Sequence, residues 1–447
     1  MRNKLRAAAL VSAVLALAPQ SANAAPDTVA WDIVEGLTTE VGQRLAGSEA
    51  EARARAWAEE KLTALGFRNV TVEPFMMPAW VRGVERARLT APVPQALAIA
   101  ALGNSPSTGD KGIEGELVYF PSLAALEAAP AGSLAGKIAF IDHAMRPAMD
   151  GSGYGPYGNV RRRGPSLAAS KGAVAAVIRS AGTDHHRNPH TGVTNFASDV
   201  KPIPAGAVSI PDAELIARLA ARGKPLRLAL TLTGHPAGNM PSGNVVAELP
   251  GSDPSLPMIL VACHLDSWDL GTGAIDDAAG CAIVTAAALR AQVGGQPLRT
   301  IRVLWAGSEE MGGLGGAAYA KRHAKEPHAL AMESDFGADR VWRVRSAFAE
   351  ANKPLAARVA AALDPLGIVA QEGKAEGGTD VAPIIAAQNL AVIALGQDGT
   401  RYFDLHHTPD DTLDKVDPVQ LEQNVAAWTA VLRVVANEPG PIAGAAK

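Results

Sequence analysis

Apolar positions recur at two different periods along the chain, and the change from one to the other divides it. From Val29 to Leu45 the spacing is helical. Ser48-Glu49-Ala50-Glu51 then reads as a capping box that opens a helix running to Leu65 and stopping at Gly66. Residues 70–74 and 86–90 read as strands. From about Ile113 to Leu232, short β-runs at 115–120, 137–141, 174–178, 207–210 and 226–232 alternate with Ala-rich helices and Gly/Pro turns. An irregular stretch over 145–164 interrupts them. This segment is expected to form a separate β-rich domain, 113–235, inserted after N-terminal helices and strands, 25–112, that pack on the remainder.

Beyond Asn244 continuous apolar runs at 258–262, 300–305, 329–332 and 391–395 alternate with helical patterns at 278–290, 314–323, 355–363, 381–387 and 418–435. Such runs predict an α/β fold, with a mostly parallel central sheet covered by helices on both faces, over 236–438. The Ala/Gly-rich tail, 439–447, is expected to fray. In open α/β sheets ligands bind beyond the carboxyl ends of the strands. The acids and histidines of this chain concentrate there.

The first residues bear on compartment. Arg2, Lys4 and Arg6 precede an apolar run to about Pro19, and Ala22-Asn23-Ala24 forms a small-residue cleavage site. These features predict a signal peptide over 1–24 and a secreted or periplasmic protein with no membrane attachment after cleavage. Loss of three cations moves the formal charge from −4 to −7, which argues against nucleic acid or an anionic membrane as partner. Cys263 and Cys281 are the only cysteines. They are too few for a disulfide framework, and their apolar surroundings suggest buried free thiols.

The candidate chemistry begins where the run 258–262 meets Cys263-His264-Leu265-Asp266. A metal-ligating histidine hands its other ring N–H to a carboxylate or carbonyl, and Asp266 is placed to help orient His264. In Gly273-Ala274-Ile275-Asp276-Asp277 the glycine permits a tight turn, with Asp276 facing inward and Asp277 capping the next helix. Glu309 and Glu310 follow the next strand. Adjacent residues on an extended segment point to opposite sides, so one can bind metal while the other moves a proton. Asp335 ends a further strand, and His406-His407 lies before the last helix. Each feature alone is commonplace; five in order at successive strand ends define a candidate site. Two histidines and three carboxylates, with Asp276 shared between two metals, suit catalytic zinc, with cobalt or manganese as substitutes. Calcium would want more oxygens and no imidazole.

At these residues the sequence resembles the M28 family of zinc peptidases, in particular its carboxypeptidase Q-like members. The likeness rests on His264-Leu265-Asp266-Ser267-Trp268-Asp269, Gly273 to Asp277, Glu309-Glu310, Met332-Glu333-Ser334-Asp335, Gly378-Thr379-Asp380, and His406-His407 with Asp411-Thr412. It extends through Ile178-Arg179-Ser180 and Pro189-His190-Thr191-Gly192 into the β-rich insert, which resembles a protease-associated domain. The resemblance implies one Zn2+ on His264 and Asp335, a second on Glu310 and His407, Asp276 bridging, Glu309 as general base and Asp266 supporting His264. His407 rather than His406 is the implied ligand because it precedes Thr408. His406, Thr379, Asp380 and His190 become candidates for substrate binding. The resemblance further implies a homodimer acting on small peptides, especially dipeptides with free termini.

Two other readings share parts of this pattern. A one-zinc glutaminyl cyclase could be built on the same fold, and a receptor-like binding protein could keep the fold without catalysis. The full set of five ligands and Glu309 argues against both. M20 di-zinc peptidases insert their extra domain between the later ligands, whereas here the insert precedes His264. His185 and His186 read as a solvated loop near the cleft mouth.

Overall fold

The computed structural model describes residues 28–445. The export segment read over 1–24 lies outside the described residues. Two eight-stranded sheets organise the chain. The first runs, edge to edge, through Arg68–Val81, His235–Leu249, Ile301–Ala306, Met258–His264, His328–Glu333, Ala391–Gln397, Val341–Ala347 and Val369–Ala370. Its four central strands are mutually parallel. The strands flanking them, His235–Leu249 and Val341–Ala347, pair antiparallel. The mostly parallel expectation therefore holds for the centre and gives way at the edges. Those two flanking strands mix polar and apolar positions, unlike the continuous apolar runs at the centre.

Alternation along the central strands sorts their side chains between two cores. Ile259, Val261 and Cys263 face a core built with the helices Thr28–Gly36, Ala279–Ala291, Lys353–Leu363 and Pro418–Val435. Leu260 and Ala262 face the opposite core, with Tyr319 and Ala320 of helix Leu314–Arg322 and Ile384 of helix Ala382–Gln388. Ala279–Ala291 is so short in side chain and so deeply buried that it can lie against the sheet directly. Each large apolar side chain buried this way contributes roughly 1.5–3 kcal/mol. Among the described residues, no helix is long and apolar enough to cross a membrane.

Cys263, at the end of its strand, is disulfide-bonded to Cys281 in the helix behind it. The expectation of two free thiols is thus corrected. An apolar setting is equally compatible with a bridge once strand and helix pack with their Cα atoms 5.0 Å apart.

The second sheet takes residues from both sides of the boundary expected at 113. Its order is Gln95–Leu97, Glu85–Ala91, Arg227–Leu232, Ile113–Phe120, Ile138–Ile141, Ala175–Arg179, Ala205–Val208 and Ile99–Ala101. Residues 85–101 therefore belong with this sheet rather than with the N-terminal elements. Glu85–Ala91 pairs with Arg227–Leu232, so the chain enters and leaves the unit on adjacent strands.

Two further expectations change. The stretch read as irregular over 145–164 contains most of a helix, Tyr154–Ser170. Its glycines, three consecutive arginines and Pro165 hide any apolar stripe, yet Tyr157, Val160, Gly164 and Ala168 are buried against the second sheet. Packing overrides a poor local propensity. The tail is held at least as far as Gly444: Ala443 donates to Asn352 and accepts from Ala349, while Arg299 grips Gly440.

Candidate metal centre

Strand register explains why distant residues meet. His264 is level with Ala306, and Ala262 with Glu333, so the segments Gly307–Glu310 and Ser334–Asp335 leave the sheet at one edge beside His264. Asp276 arrives from the turn before helix Ala279–Ala291, across a cis peptide to Asp277. Asp277 accepts from the Gly280 amide at 3.0 Å and the His264 amide at 3.1 Å, tying helix to strand end. It has the capping role its position suggested. His407 comes from the loop before the last helix and, like Ser308 beside Glu309, adopts a left-handed backbone (φ 59° and 63°). Non-glycine residues accept that conformation where surrounding packing fixes it, often at functional sites.

The donor atoms fall into two groups that share Asp276. His264, Asp276 and Asp335 form one, and Asp276, Glu310 and His407 the other, each with ligand atoms within 4.8 Å of one another. His264 Nε2 lies 3.0 Å from Asp276 Oδ1 and 3.4 Å from Asp335 Oδ1. On the far side of Asp276, His407 Nε2 is 3.3 Å from Oδ2 and 2.6 Å from Glu310 Oε2. The opposite ring nitrogens are already engaged. His264 Nδ1–H donates to the Asp266 carbonyl at 2.9 Å, and His407 Nδ1–H donates to the Thr191 carbonyl at 3.1 Å. Each imidazole thereby turns Nε2 inward, as a metal ligand requires.

The electrostatics ask for cations. Asp276 Oδ2 and Glu310 Oε1 are buried without a hydrogen-bond partner. Burial and the neighbouring Asp335 push Glu309 well above the usual carboxylate range. Burial also raises Asp335, against the pull of His264, and lifts Asp266 to about 7. Burial alone would lower the His264 and His407 imidazoles, but Asp335 and Glu310, respectively, hold them well above their ordinary value. So many buried acids are costly unless positive charge sits among them. The mixed imidazole and carboxylate donors fit zinc.

Glu309 and Asp335 face a cleft of about 350 Å³, also lined by Thr379 and His406. Of the substrate-binding candidates, these last two reach the cleft wall. Asp380 is fully buried, with neither carboxylate oxygen hydrogen-bonded. His190 is also fully buried, behind the two ring planes of His406 and His407, and donates from Nδ1 to the His406 carbonyl at 2.9 Å. His190, His406 and His407 are close enough to form a third metal cluster. The Arg161 guanidinium stands among them, 3.3 Å from His407 Nδ1 and 3.5 Å from His190 Nε2, and disfavours a cation there. His185 is exposed, while His186 lies against the Asp404 carbonyl at 2.6 Å.

Asp266 takes a different post from the one expected. Its carboxylate lies 3.8 Å from His264 Nδ1 and instead accepts from the Glu309 and Glu310 amides at 3.1 and 3.3 Å. It thereby positions Glu309 and Glu310 together. Three other supports escaped the sequence reading. Arg44, fully buried, donates to the carbonyls of Leu265, Thr272 and Gly273. Asp411, noted only as part of a motif, accepts from the Ile275 amide at 2.7 Å beside Asp276. Arg161 donates to Thr191, the same carbonyl that orients His407. Gly192, at φ 129°, clears this junction; an added Cβ would collide with Arg161 and lie 2.9 Å from His407 Nδ1.

Residues 244–432 match the model of Peptidase family M28. Carboxypeptidase Q of Bos taurus is 33% identical over 90% of this chain and 84% of its own length. The crystal structure of a Peptidase M28 precursor from Shewanella amazonensis SB2B is 45% identical and superposes with a TM-score of 0.90, covering 93% of this chain and 95% of that one. An aminopeptidase from Aneurinibacillus sp. strain AM-1 shares the fold, with a TM-score of 0.61 at 20% identity over 94% of this chain and 97% of its own. The chain belongs to peptidase family M28 and is a metallopeptidase.

Proposed function

We propose that the chain is a di-zinc exopeptidase hydrolysing small peptides, with dipeptides carrying free termini as the substrate class. One zinc would be held by His264, Asp276 and Asp335, the other by Asp276, Glu310 and His407. The observation that carries this reading is the pair of three-residue donor groups sharing Asp276. Bound zinc would supply Lewis acidity, polarising the scissile carbonyl and making water a competent nucleophile near neutral pH.

The chain's own residues do the rest. Glu309, facing the cleft, takes the proton from the attacking water and delivers it to the leaving amine. Asp266 holds the Glu309 backbone through its amide, so the base approaches from a fixed direction. His406, stacked on His407 with ring centroids 3.8 Å apart, forms part of the cleft wall beside the proposed ligand. The dipeptide class follows from the likeness to proteins named carboxypeptidase Q. Export after cleavage near Ala24, the identity of the insert as a protease-associated domain, and assembly as a homodimer belong to the same reading.

Glu309→Gln tests the base. The variant should keep its zinc and lose nearly all turnover of dipeptides, about 10²- to 10⁴-fold. Substantial residual activity would remove Glu309 from that role, and cleavage of internal bonds in long peptides would remove the exopeptidase assignment.

A further inference from the structure

Helix Tyr154–Ser170 sends three consecutive arginines in different directions. Arg163 is exposed and reaches Glu127 at 3.6 Å. Arg161 is 6% exposed, lies under the cleft wall and donates to Thr191. Arg162, half-buried between them, lines the same cleft as Glu309 and Asp335. Neither Arg161 nor Arg162 meets a carboxylate among the described residues. Arg82, Arg179 and Arg401 do, pairing with Asp269, Asp142 and Asp339, whereas the buried Arg44 and Arg299 spend their donors on backbone carbonyls. Arg161 Nε is buried with no hydrogen-bond partner at all. Burial, and the like charge of Arg161, hold the Arg162 guanidinium below its ordinary value. Two adjoining cations withdrawn from water without a counter-ion are costly, and an arriving anion would relieve that cost.

The local fold clears a seat for this group. The Arg162 guanidinium lies back over Gly158, where an added Cβ would come within 2.7 Å of it. A buried glycine one turn earlier keeps the guanidinium against the helix. The cleft lining therefore holds both charge types: Asp276, Glu309, Glu310 and Asp335, which belong to the metal centre, and Arg161 and Arg162, which do not. A free carboxylate finds its complement at the arginines, where a guanidinium offers two parallel N–H donors to one carboxylate. In a dipeptide the C-terminal carboxylate lies one residue beyond the scissile carbonyl, about 3.5 Å of chain. That places it inside the same small cleft.

We propose that Arg162, with Arg161 behind it, binds the C-terminal carboxylate of the peptide and so makes the enzyme read the carboxyl terminus of its substrate. This rests on the peptidase reading above and names the residue that selects the terminus. Arg162 is a specificity residue in direct contact with substrate. Arg161 reinforces its charge while positioning His407 through the Thr191 carbonyl.

The test compares zinc-loaded wild type, Arg162→Ala and Arg162→Lys on a dipeptide and on the same dipeptide as its C-terminal amide. Wild type should prefer the free acid. Arg162→Ala should lower kcat/KM for the acid roughly 10- to 100-fold, mainly through KM, and leave the amide within about twofold. Arg162→Lys should restore part of the preference. Equal rates of wild type on acid and amide would overturn the proposal without any variant. An equal loss on both substrates, or no loss on either, would overturn it as well. Failure of the peptidase reading shows itself separately, as no hydrolysis of either substrate by zinc-loaded wild type.

Discussion

Asp266 shows how a single carboxylate can organise a site without entering it. Its two oxygens accept the amides of Glu309 and Glu310, so one side chain fixes both the proposed base and a proposed ligand. Burial lifts it to about 7, and the His264 imidazole, then the Glu309 amide, counter that rise. Asp266→Asn keeps one acceptor oxygen and replaces the other with a donor facing an N–H. Dipeptide turnover is expected to fall about 10- to 100-fold with zinc still bound. Unchanged turnover would mean that the loop holds itself. Much of the candidate site was legible in the sequence because His264, Glu310 and Asp335 end or follow apolar strands, and period-two alternation separates neighbouring acids. His190, Asp380 and Arg161 were not. Their roles depend on contacts across the fold, such as the one linking His190 to His406 over 216 positions.

At the scale of elements, strand Met258–His264 and helix Ala279–Ala291 are joined twice, by Asp277 and by the Cys263–Cys281 bond. The cysteines lie 18 positions apart, and a cross-link closing a loop of that size stabilises by about 3 kcal/mol. Replacing both cysteines by serine should lower the urea midpoint by a corresponding amount, whereas an unchanged midpoint would show that the bond adds nothing to packing.

A second element-scale network is sensitive to pH. His328 Nδ1–H donates to the Glu326 carbonyl, and Nε2 lies 2.8 Å from the Tyr319 hydroxyl, with Arg302 close by. Burial first, then Arg302, lowers His328 from its ordinary 6.5 to about 4. The unfolded chain therefore binds this proton more readily, so the His328 contribution is full above about pH 6.5 and is lost as pH falls toward 4. The stability gap between wild type and His328→Gln should narrow by roughly 2 kcal/mol between about pH 7.5 and pH 4.5. A constant gap would contradict the assignment. Sequence periodicity found the central strands and their helices, since continuous apolar runs leave little ambiguity. It missed helix Tyr154–Ser170, whose buried face is made of glycine, proline, arginine and tyrosine as much as of aliphatic residues.

On the scale of the whole molecule, the proposed metal ligands all come from the first sheet and its loops. The second sheet's unit contributes Arg161 and Arg162 to the cleft lining, with His190 and Thr191 buried behind His406 and His407. Catalysis and terminus recognition are thus assigned to different units of one chain. The boundary between them could not be read from composition, because Glu85–Ala91 and Gln95–Leu97 resemble the strands before them and find partners only in the second sheet. Metal binding should couple to stability, since a cation relieves repulsion among Asp276, Glu309, Glu310 and Asp335. Chelation is expected to lower the thermal midpoint, and added zinc to restore it.

The most direct measurement is the zinc content of purified wild type, Glu309→Gln and Asp276→Ala, determined by mass spectrometry alongside protein concentration. The shared-ligand centre predicts two zinc per chain in wild type and in Glu309→Gln, and loss of both in a folded Asp276→Ala. A single zinc in wild type, or an Asp276→Ala chain that still holds two, would contradict it.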